Sequence, residues 1–217
     1  MIILKPVNDF RLYLITDRRQ VGGRSLADVV RQALEGGVRA VQLREKDLAG
    51  AALYRLAVEL RSLTSEFNAR LIINDRPDIA LAVDADGVHV GVNSLPVAVV
   101  HRLLGPDKIV CYSAHAIDEA LRAQDDGADF VTFGPLYATP SKVAYGDPCG
   151  VKKLADAVSA LEIPVIGLGG ISQANVTEAL STDIHGIAVI SAIMAAADPR
   201  AAAASLLKKI EEHAQHS

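Results

Sequence analysis

The sequence predicts a closed (β/α)₈ barrel. Its 217 residues contain eight short apolar runs, separated by segments with helical spacing or strong helix formers. Nearly continuous apolar strands are typical of a parallel sheet that is covered on both faces. Eight strand–helix units in a chain of this length fit one barrel at the short end of its size range. An open doubly wound sheet is the competing arrangement, and periodicity alone does not exclude it.

The predicted strands are rich in Val, Ile and aromatic residues, which favour extended structure. In chain order they are LYLIT (12–16), AVQLRE (40–45), RLIIND (70–75), GVHVG (87–91), IVCYSA (109–114), FVTFGP (130–135), PVIGLGG (164–170) and GIAVISA (186–192).

One predicted helix follows each strand. The helical segments are 25–37, 51–67, 77–85, 96–104, 116–127, 151–161, 173–181 and 198–215. Their ends carry the expected signals: Ser25 and Ser172 are predicted N-caps, Asp198 with Pro199 opens the last helix, and Gly36–Gly37 ends the first. No linker or low-complexity tract interrupts this alternation, so we expect a single domain over residues 1–217.

Composition narrows the functional class. The net charge is −4 and only 4% of residues are aromatic, without a basic stripe, so nucleic acid is not an expected partner. The N-terminal stretch resembles neither a signal peptide nor a membrane span, and the two cysteines suit a reducing compartment. We therefore expect a cytoplasmic protein without a membrane partner. Its oligomeric state stays open, a homodimer being one arrangement that the sequence allows.

Polar residues close the predicted strands, and in a barrel these strand ends form the active site. Arg44 and Lys46 alternate with Glu45, which places both cations on one face of the extended chain. Two like charges converging there would repel each other unless an anion joins them. Lys142, in the long loop after the sixth strand, could supply a third cation.

Two kinds of phosphate site are predicted. Asn74 and Asp75 offer the carbonyl and carboxylate oxygens that hold Mg²⁺ beside phosphate groups, so the cations and this pair together suggest a diphosphate. In the segments GLGGIS and VISAI, free backbone N–H groups and Ser191 could bind a single phosphate where barrels commonly do. The expected partners are therefore small phosphorylated molecules.

Each of these features also has an ordinary structural interpretation. The REKD segment could be a strand edge with local ion pairs, and Asn74-Asp75 before Pro77 could be a simple turn into a helix. His89 and His115 are more often hydrogen-bonded structural residues than bases, and Cys111 should be a small buried hydrophobe.

Taken in order, the motifs LYLITD, VQLREKD, LIINDRPDIALAVDADGVHVG, YSAH, ADFVTFGPLYATPSK, PVIGLGGI and GIAVISAI resemble the thiamine-phosphate synthase and thiazole tautomerase superfamily. The resemblance extends over essentially the whole chain and implies a (β/α)₈ barrel. A synthase of this family joins an aminopyrimidine diphosphate to a phosphorylated thiazole, releases diphosphate, and requires Mg²⁺.

The resemblance also implies roles for particular residues. Gln42, Arg44 and Lys46 would contact the pyrimidine diphosphate, Asn74 and Asp75 would hold diphosphate and Mg²⁺, Ser113 and Lys142 would complete that site, and Thr139, Ser141, Gly170, Ile190 and Ser191 would hold the thiazole phosphate. The loop after the sixth strand would then act as a lid that excludes water.

One motif departs from the synthase pattern HxGQxD. The chain has HVGVNS, so Val92 replaces the Gln and Ser94 stands where a second Mg²⁺-binding Asp is usual. This departure leaves two alternatives open. A tautomerase would use no metal and would employ His115 as acid or base, and a non-catalytic relative would only bind phosphorylated metabolites. The segment YGDPCG, from Tyr145 to Gly150, also differs from the usual loop.

Overall fold

Eight parallel strands close into a barrel in the computed structural model, which describes residues 9–138 and 148–215. Strand order follows chain order, and the first strand pairs with the last, Tyr13 lying opposite Ala188. The strands are β1 Leu12–Ile15, β2 Ala40–Leu43, β3 Arg70–Asn74, β4 Gly87–Val90, β5 Ile109–Ala114, β6 Phe130–Phe133, β7 Val165–Leu168 and β8 Gly186–Val189. The predicted barrel is confirmed, and the open doubly wound alternative is wrong.

The helices form an outer layer around the strands. They are α1 Leu26–Glu35, α2 Gly50–Glu66, α3 Pro77–Ala82, α4 Val97–Leu104, α5 Ile117–Asp125, α6 Gly150–Ala160, α7 Val176–Leu180, α8 Ser191–Met194 and α9 Pro199–Ala214, with a short 3₁₀ helix at Arg18–Gln20. In the part of the chain that the structure describes, no helix is both long and apolar enough to span a membrane.

The helix caps follow the sequence at two predicted positions and differ at a third. The Ser25 side chain accepts from the Asp28 N–H, and the Asp198 side chain accepts from the Ala201 N–H. Ser172 is not the cap of α7, because a turn separates it from that helix and Asn175 holds the N-cap position. The predicted N-cap at Ser172 is therefore wrong.

The eighth predicted strand is also too long. Strand β8 ends at Val189, and α8 begins at Ser191. Ile190 has φ −116° and ψ −84°, which are not strand dihedral angles. The chain therefore turns from strand to helix within an apolar run, and the N-terminus of α8 comes to the end of the barrel.

The barrel wall separates two layers of apolar packing. Residues that point outward from the strands pack under the helices, whereas a smaller set fills the interior. Phe10 and Tyr13 each lie 5.8 Å from Phe130, measured between ring centroids, with edge-on geometry to that ring. Cys111 is fully buried in the same interior, as predicted. These side chains close the barrel below the ends of the strands.

Strand alternation carries polar residues into the upper part of the interior. In β2, Val41 and Leu43 pack outward, and Gln42 is buried inside the barrel. Continuing this alternation beyond the strand places Arg44 and Lys46 on the same side as Gln42. The fold therefore gives the carboxyl ends of the strands a polar lining above an apolar base.

Candidate active site

A cavity of about 540 Å³ opens at the carboxyl ends of the strands. It brings together eleven residues to which the sequence assigned a place in the site: Gln42, Arg44, Lys46, Asn74, Asp75, Ser94, Ser113, His115, Gly170, Ile190 and Ser191. The predicted residues Thr139, Ser141 and Lys142, together with Tyr145, lie outside the described residues.

Arg44 and Lys46 face this cavity without a carboxylate within ion-pair distance among the described residues. The two carboxylates of REKD are engaged elsewhere. Glu45 accepts from Arg18 at 2.9 Å, and Asp47 accepts from the same guanidinium at 2.6 and 2.7 Å. Local ion pairs thus exist, as the structural interpretation predicted, but they leave the two cations available to an anion.

The electrostatics of Lys46 reflect this arrangement. Partial burial lowers the pKa of its ammonium group, the neighbouring Arg44 lowers it further, and Asp75 acts in the opposite direction. Removal from water and a like charge both disfavour the protonated amine. A bound anion would offset both effects by its opposite charge, so the site is electrostatically suited to a polyanion such as diphosphate.

Asn74 ends β3, the strand that pairs with β2 in the barrel, and Asp75 follows it. Asp75 adopts a left-handed backbone conformation with φ 60°, and its N–H donates to the His89 carbonyl at 3.0 Å. Asp tolerates this conformation better than most residues. Pro77 begins α3 directly afterwards, so the turn interpretation is correct at the same time.

The donor set fits Mg²⁺ if the ion arrives with phosphate oxygens. Within residues 9–138 and 148–215, no group of three or more His, Cys, Asp or Glu side chains could hold a metal. Mg²⁺, however, is usually bound by one or two carboxylates together with waters and substrate phosphates. The exposed Asp75 carboxylate, beside the Asn74 amide, supplies the one carboxylate that such a site needs.

Ser94 has a structural partner at the cavity rim. Its hydroxyl accepts from the Gly91 N–H at 2.8 Å, and its own N–H donates to the Gly91 carbonyl at 2.9 Å. These bonds close the turn between β4 and α4. The hydroxyl is therefore committed to the backbone and adds no negative charge to the cavity.

A cluster of buried polar side chains forms the floor of the cavity. The Gln42 amide donates to the Tyr13 hydroxyl at 2.9 Å, and that hydroxyl lies 3.3 Å from His89 Nδ1. Cys111 Sγ is 3.2 Å from the same nitrogen, and Thr132 Oγ1 is 3.4 Å from Nε2. His89 is thus hydrogen-bonded inside the barrel, as expected, and it also lines the cavity. Burial raises the pKa values of Tyr13 and Cys111, so both remain protonated.

His115 also lines the cavity, at the end of β5. Its backbone N–H donates to Glu119 Oε2 at 2.8 Å, and its ring Nδ1 lies 3.7 Å from the same oxygen. The carboxylate therefore anchors the start of α5 beside the imidazole. This geometry is compatible with a structural role and with the acid–base role that remains a prediction.

A second group of potential anion ligands lies where β7 and β8 end. The backbone N–H groups of Gly170 and Ser191 have no acceptor in the described part of the chain, and Ile190 precedes the first turn of α8. Gly170 has φ 69°, and a Cβ there would lie 2.8 Å from Tyr137 Cβ. Only glycine fits this close approach without displacement.

Sequence reasoning missed part of the lining. Asp17 and Gln20 reach the cavity from the segment after β1, where the Gln20 amide donates to Asp17 Oδ2 at 2.7 Å. Asp17 follows a predicted strand and could have been chosen by that position. Gln20 could not, because its place depends on the 3₁₀ helix that the sequence did not reveal. The apolar lining residues Ile15, Leu168 and Ile171 were missed as well.

Comparisons with known proteins agree with this geometry. The family model described as "Thiamine monophosphate synthase" matches residues 12–193. A thiamine-phosphate synthase of Desulfitobacterium hafniense is 46% identical over 92% of this chain and 96% of its own length. A protein of Geobacter sulfurreducens, whose name assigns the same activity provisionally, is 55% identical over 92% of this chain and 93% of its own.

A solved structure extends the likeness to the fold. Thiamine phosphate pyrophosphorylase from Pyrococcus furiosus superposes with a TM-score of 0.88 at 40% sequence identity. The match covers 95% of this chain and 98% of that protein. The likeness in sequence and the likeness in fold therefore cover nearly the same part of the chain.

Proposed function

This chain belongs to the thiamine monophosphate synthase family, and we propose that it joins 4-amino-5-hydroxymethyl-2-methylpyrimidine diphosphate to a phosphorylated thiazole, releasing diphosphate. Relatives with this activity in their names match more than nine-tenths of the chain, and the enzyme is accordingly a transferase. The roles of individual residues given below are part of the proposal.

The observation that carries the proposal is the pair of cations facing the cavity. Arg44 and Lys46 lack a carboxylate within ion-pair distance among the described residues, and Asp75 lines the same space after the neighbouring strand β3. This distribution suits a diphosphate that brings its own divalent cation. A neutral substrate would leave the repulsion between the two cations uncompensated.

The reaction breaks the bond between the pyrimidine methylene carbon and the diphosphate oxygen, which leaves with the electron pair. The thiazole nitrogen then supplies the electron pair of the new carbon–nitrogen bond. Arg44 and Lys46 stabilise the charge that grows on the leaving group, because fixed cations at a developing anion lower the barrier. Gln42 and Ser113 orient the pyrimidine from the floor and from β5.

Asn74 and Asp75 are the residues that would hold Mg²⁺ beside the diphosphate in this proposal. When bound, the ion supplies further neutralisation of the leaving group. Because Ser94 is bonded to Gly91, we assign it no direct metal contact. Among the described residues, Asp75 is then the carboxylate that we assign to the ion.

The thiazole phosphate binds at the other end of the cavity. Gly170, after β7, and Ser191, at the start of α8, offer backbone N–H groups there, and the Ser191 hydroxyl adds a further donor. Backbone N–H groups at such turns are common phosphate ligands in barrels. The two substrates would thus be held by their phosphates at opposite sides, with the reacting atoms between them.

The test is an assay of the purified chain with Mg²⁺, the pyrimidine diphosphate and the thiazole phosphate, following thiamine phosphate. We expect product from the native chain and a loss of at least tenfold in kcat/KM for Arg44→Met. Arg31→Met is the matched control, since Arg31 pairs with Glu66 on the surface and should leave turnover unchanged. No product from the native chain would refute the synthase.

The same assay separates the alternatives. Ser94→Asp restores the carboxylate that HxGQxD implies, so product from this variant alone would indicate a synthase scaffold used for another purpose. Conversion of a carboxythiazole phosphate without Mg²⁺, abolished by His115→Ala, would instead establish the tautomerase. Mg²⁺-dependent binding of the pyrimidine diphosphate without any turnover would indicate a metabolite-binding protein.

A further inference from the structure

Glu45 is a buried carboxylate inside the cationic segment of the site. Its side chain is 2% exposed, although its neighbours Arg44 and Lys46 face the cavity. It accepts from the Thr16 hydroxyl at 2.8 Å, from the Arg18 N–H at 3.0 Å and from the Arg18 guanidinium at 2.9 Å. All these donors belong to the end of β1 and the turn after it.

Thr16 connects this carboxylate to the backbone of Arg44. Its hydroxyl donates to Glu45 and at the same time accepts from the Arg44 N–H at 2.9 Å. Thr16 is fully buried, so water cannot replace either bond without entering the wall of the barrel. The Thr16 hydroxyl therefore links the two strand ends where the chain turns toward the cavity, beside the bond from the Thr16 N–H to the Gln42 carbonyl at 2.9 Å.

Arg18 completes the arrangement from the other side. It contacts Glu45 and Asp47, and Asp47 also accepts from Arg19 at 2.8 Å. Both carboxylates of REKD are thus drawn toward β1. Without these partners, Glu45 could turn toward Arg44 or Lys46 and neutralise a charge that an anionic substrate needs.

We propose that Glu45 and Thr16 are positioning residues for diphosphate binding, which hold Arg44 and Lys46 toward the cavity and keep the Glu45 carboxylate away from them. Neither side chain needs to touch the substrate. The proposal rests on the proposed function only in taking diphosphate as the anion.

The primary test uses Thr16→Val, which removes the hydroxyl at nearly constant volume, and Thr16→Ser, which keeps it. Binding of inorganic diphosphate with Mg²⁺ is measured by titration calorimetry, and KM is measured for each substrate. We expect Thr16→Val to weaken diphosphate binding about five- to tenfold, the scale of one lost hydrogen bond beside a charged group. The KM for the thiazole phosphate should stay within a factor of two, and Thr16→Ser should restore binding.

Glu45→Gln gives a second, independent measurement. Its matched control is Glu66→Gln, the same substitution at an ion pair whose carboxylate is 50% exposed. We expect weaker diphosphate binding for Glu45→Gln and an unchanged value for Glu66→Gln, in samples shown to be folded by their thermal transition.

Two outcomes would overturn the positioning role. Diphosphate affinity unchanged in Thr16→Val and Glu45→Gln would remove it outright. Equal increases in the KM of both substrates, not reversed by Thr16→Ser, would mean general damage to the barrel. Calorimetry needs no turnover, so a native chain that binds diphosphate but forms no product would refute the synthase while leaving this proposal to be decided by the variants.

Discussion

Gln42 donates a hydrogen bond from its amide to the hydroxyl of Tyr13, across 2.9 Å at the floor of the cavity. Both residues are essentially inaccessible to solvent, and they come from adjacent strands whose register places Ile15 opposite Gln42. The bond fixes the orientation of the amide that we propose for pyrimidine binding. It also places the polar part of the floor directly above the aromatic packing of the interior.

Tyr13→Phe removes this acceptor and leaves the ring. We expect a higher KM for the pyrimidine diphosphate, little change in the KM for the thiazole phosphate, and a loss of about 1 kcal/mol in the free energy of unfolding. Steady-state kinetics and urea denaturation measure these quantities. Tyr54→Phe, on the exposed face of α2, is the control and should change neither. Unchanged kinetics in Tyr13→Phe would exclude a role for the bond in substrate binding.

The lowered pKa of Lys46 should make anion binding depend on pH. Its lowered pKa means that the ammonium loses its proton at a lower pH than a free lysine does. Because diphosphate prefers the protonated form, its affinity should fall as pH rises through this lowered pKa. Lys46→Arg should move the fall to higher pH, since arginine stays charged. Titrations of Mg²⁺–diphosphate across alkaline pH check this, with Lys208→Arg as the control, and an unmoved midpoint would exclude Lys46.

The ion pairs of Asp47 should make the stability of the fold depend on pH in the acid range. Arg18, and secondarily Arg19, hold the pKa of this carboxyl well below its ordinary value of 3.8. A carboxyl with a depressed folded-state pKa stabilises the fold above its unfolded pKa and loses that effect as pH falls through the folded value. The native chain and Asp47→Asn should therefore differ in melting temperature near neutral pH and converge in strong acid. A constant difference across this range would contradict the assignment.

The close packing at Gly170 should make binding of the thiazole phosphate sensitive to an added side chain. Gly170→Ala would bring a methyl group against Tyr137, in addition to straining a backbone with φ 69°. Gly105→Ala isolates the strain, because Gly105 has φ 84° and no atom within 4 Å of an added Cβ. We expect both variants to lose stability, but only Gly170→Ala to raise the KM for the thiazole phosphate. Equal kinetics in the two variants would show that the site does not depend on this contact.

The sequence predicted the features that repeat, because they depend on spacing alone. Alternation in β2 was enough to place Arg44 and Lys46 on one face, and the count of eight apolar runs favoured the barrel, whose closure the strand pairing shows. Contacts between distant segments were not predictable. Arg18 meets Glu45 across 27 residues, and only the pairing of β1 with β2 brings them together. The α8 helix was missed because an apolar run of this length has no period that separates strand from helix.

Because the barrel wall separates the inner apolar residues from the outer ones, a substitution inside the barrel can deepen the cavity while the packing between strands and helices stays the same. The inner set is small and centred on Phe10, Tyr13 and Phe130, whereas the helices are anchored by a separate and larger set outside the wall. A smaller side chain at Phe130 would open space under the floor without removing any outward contact of the strands. An engineer who wished to admit a bulkier pyrimidine would therefore begin below the site rather than at its rim.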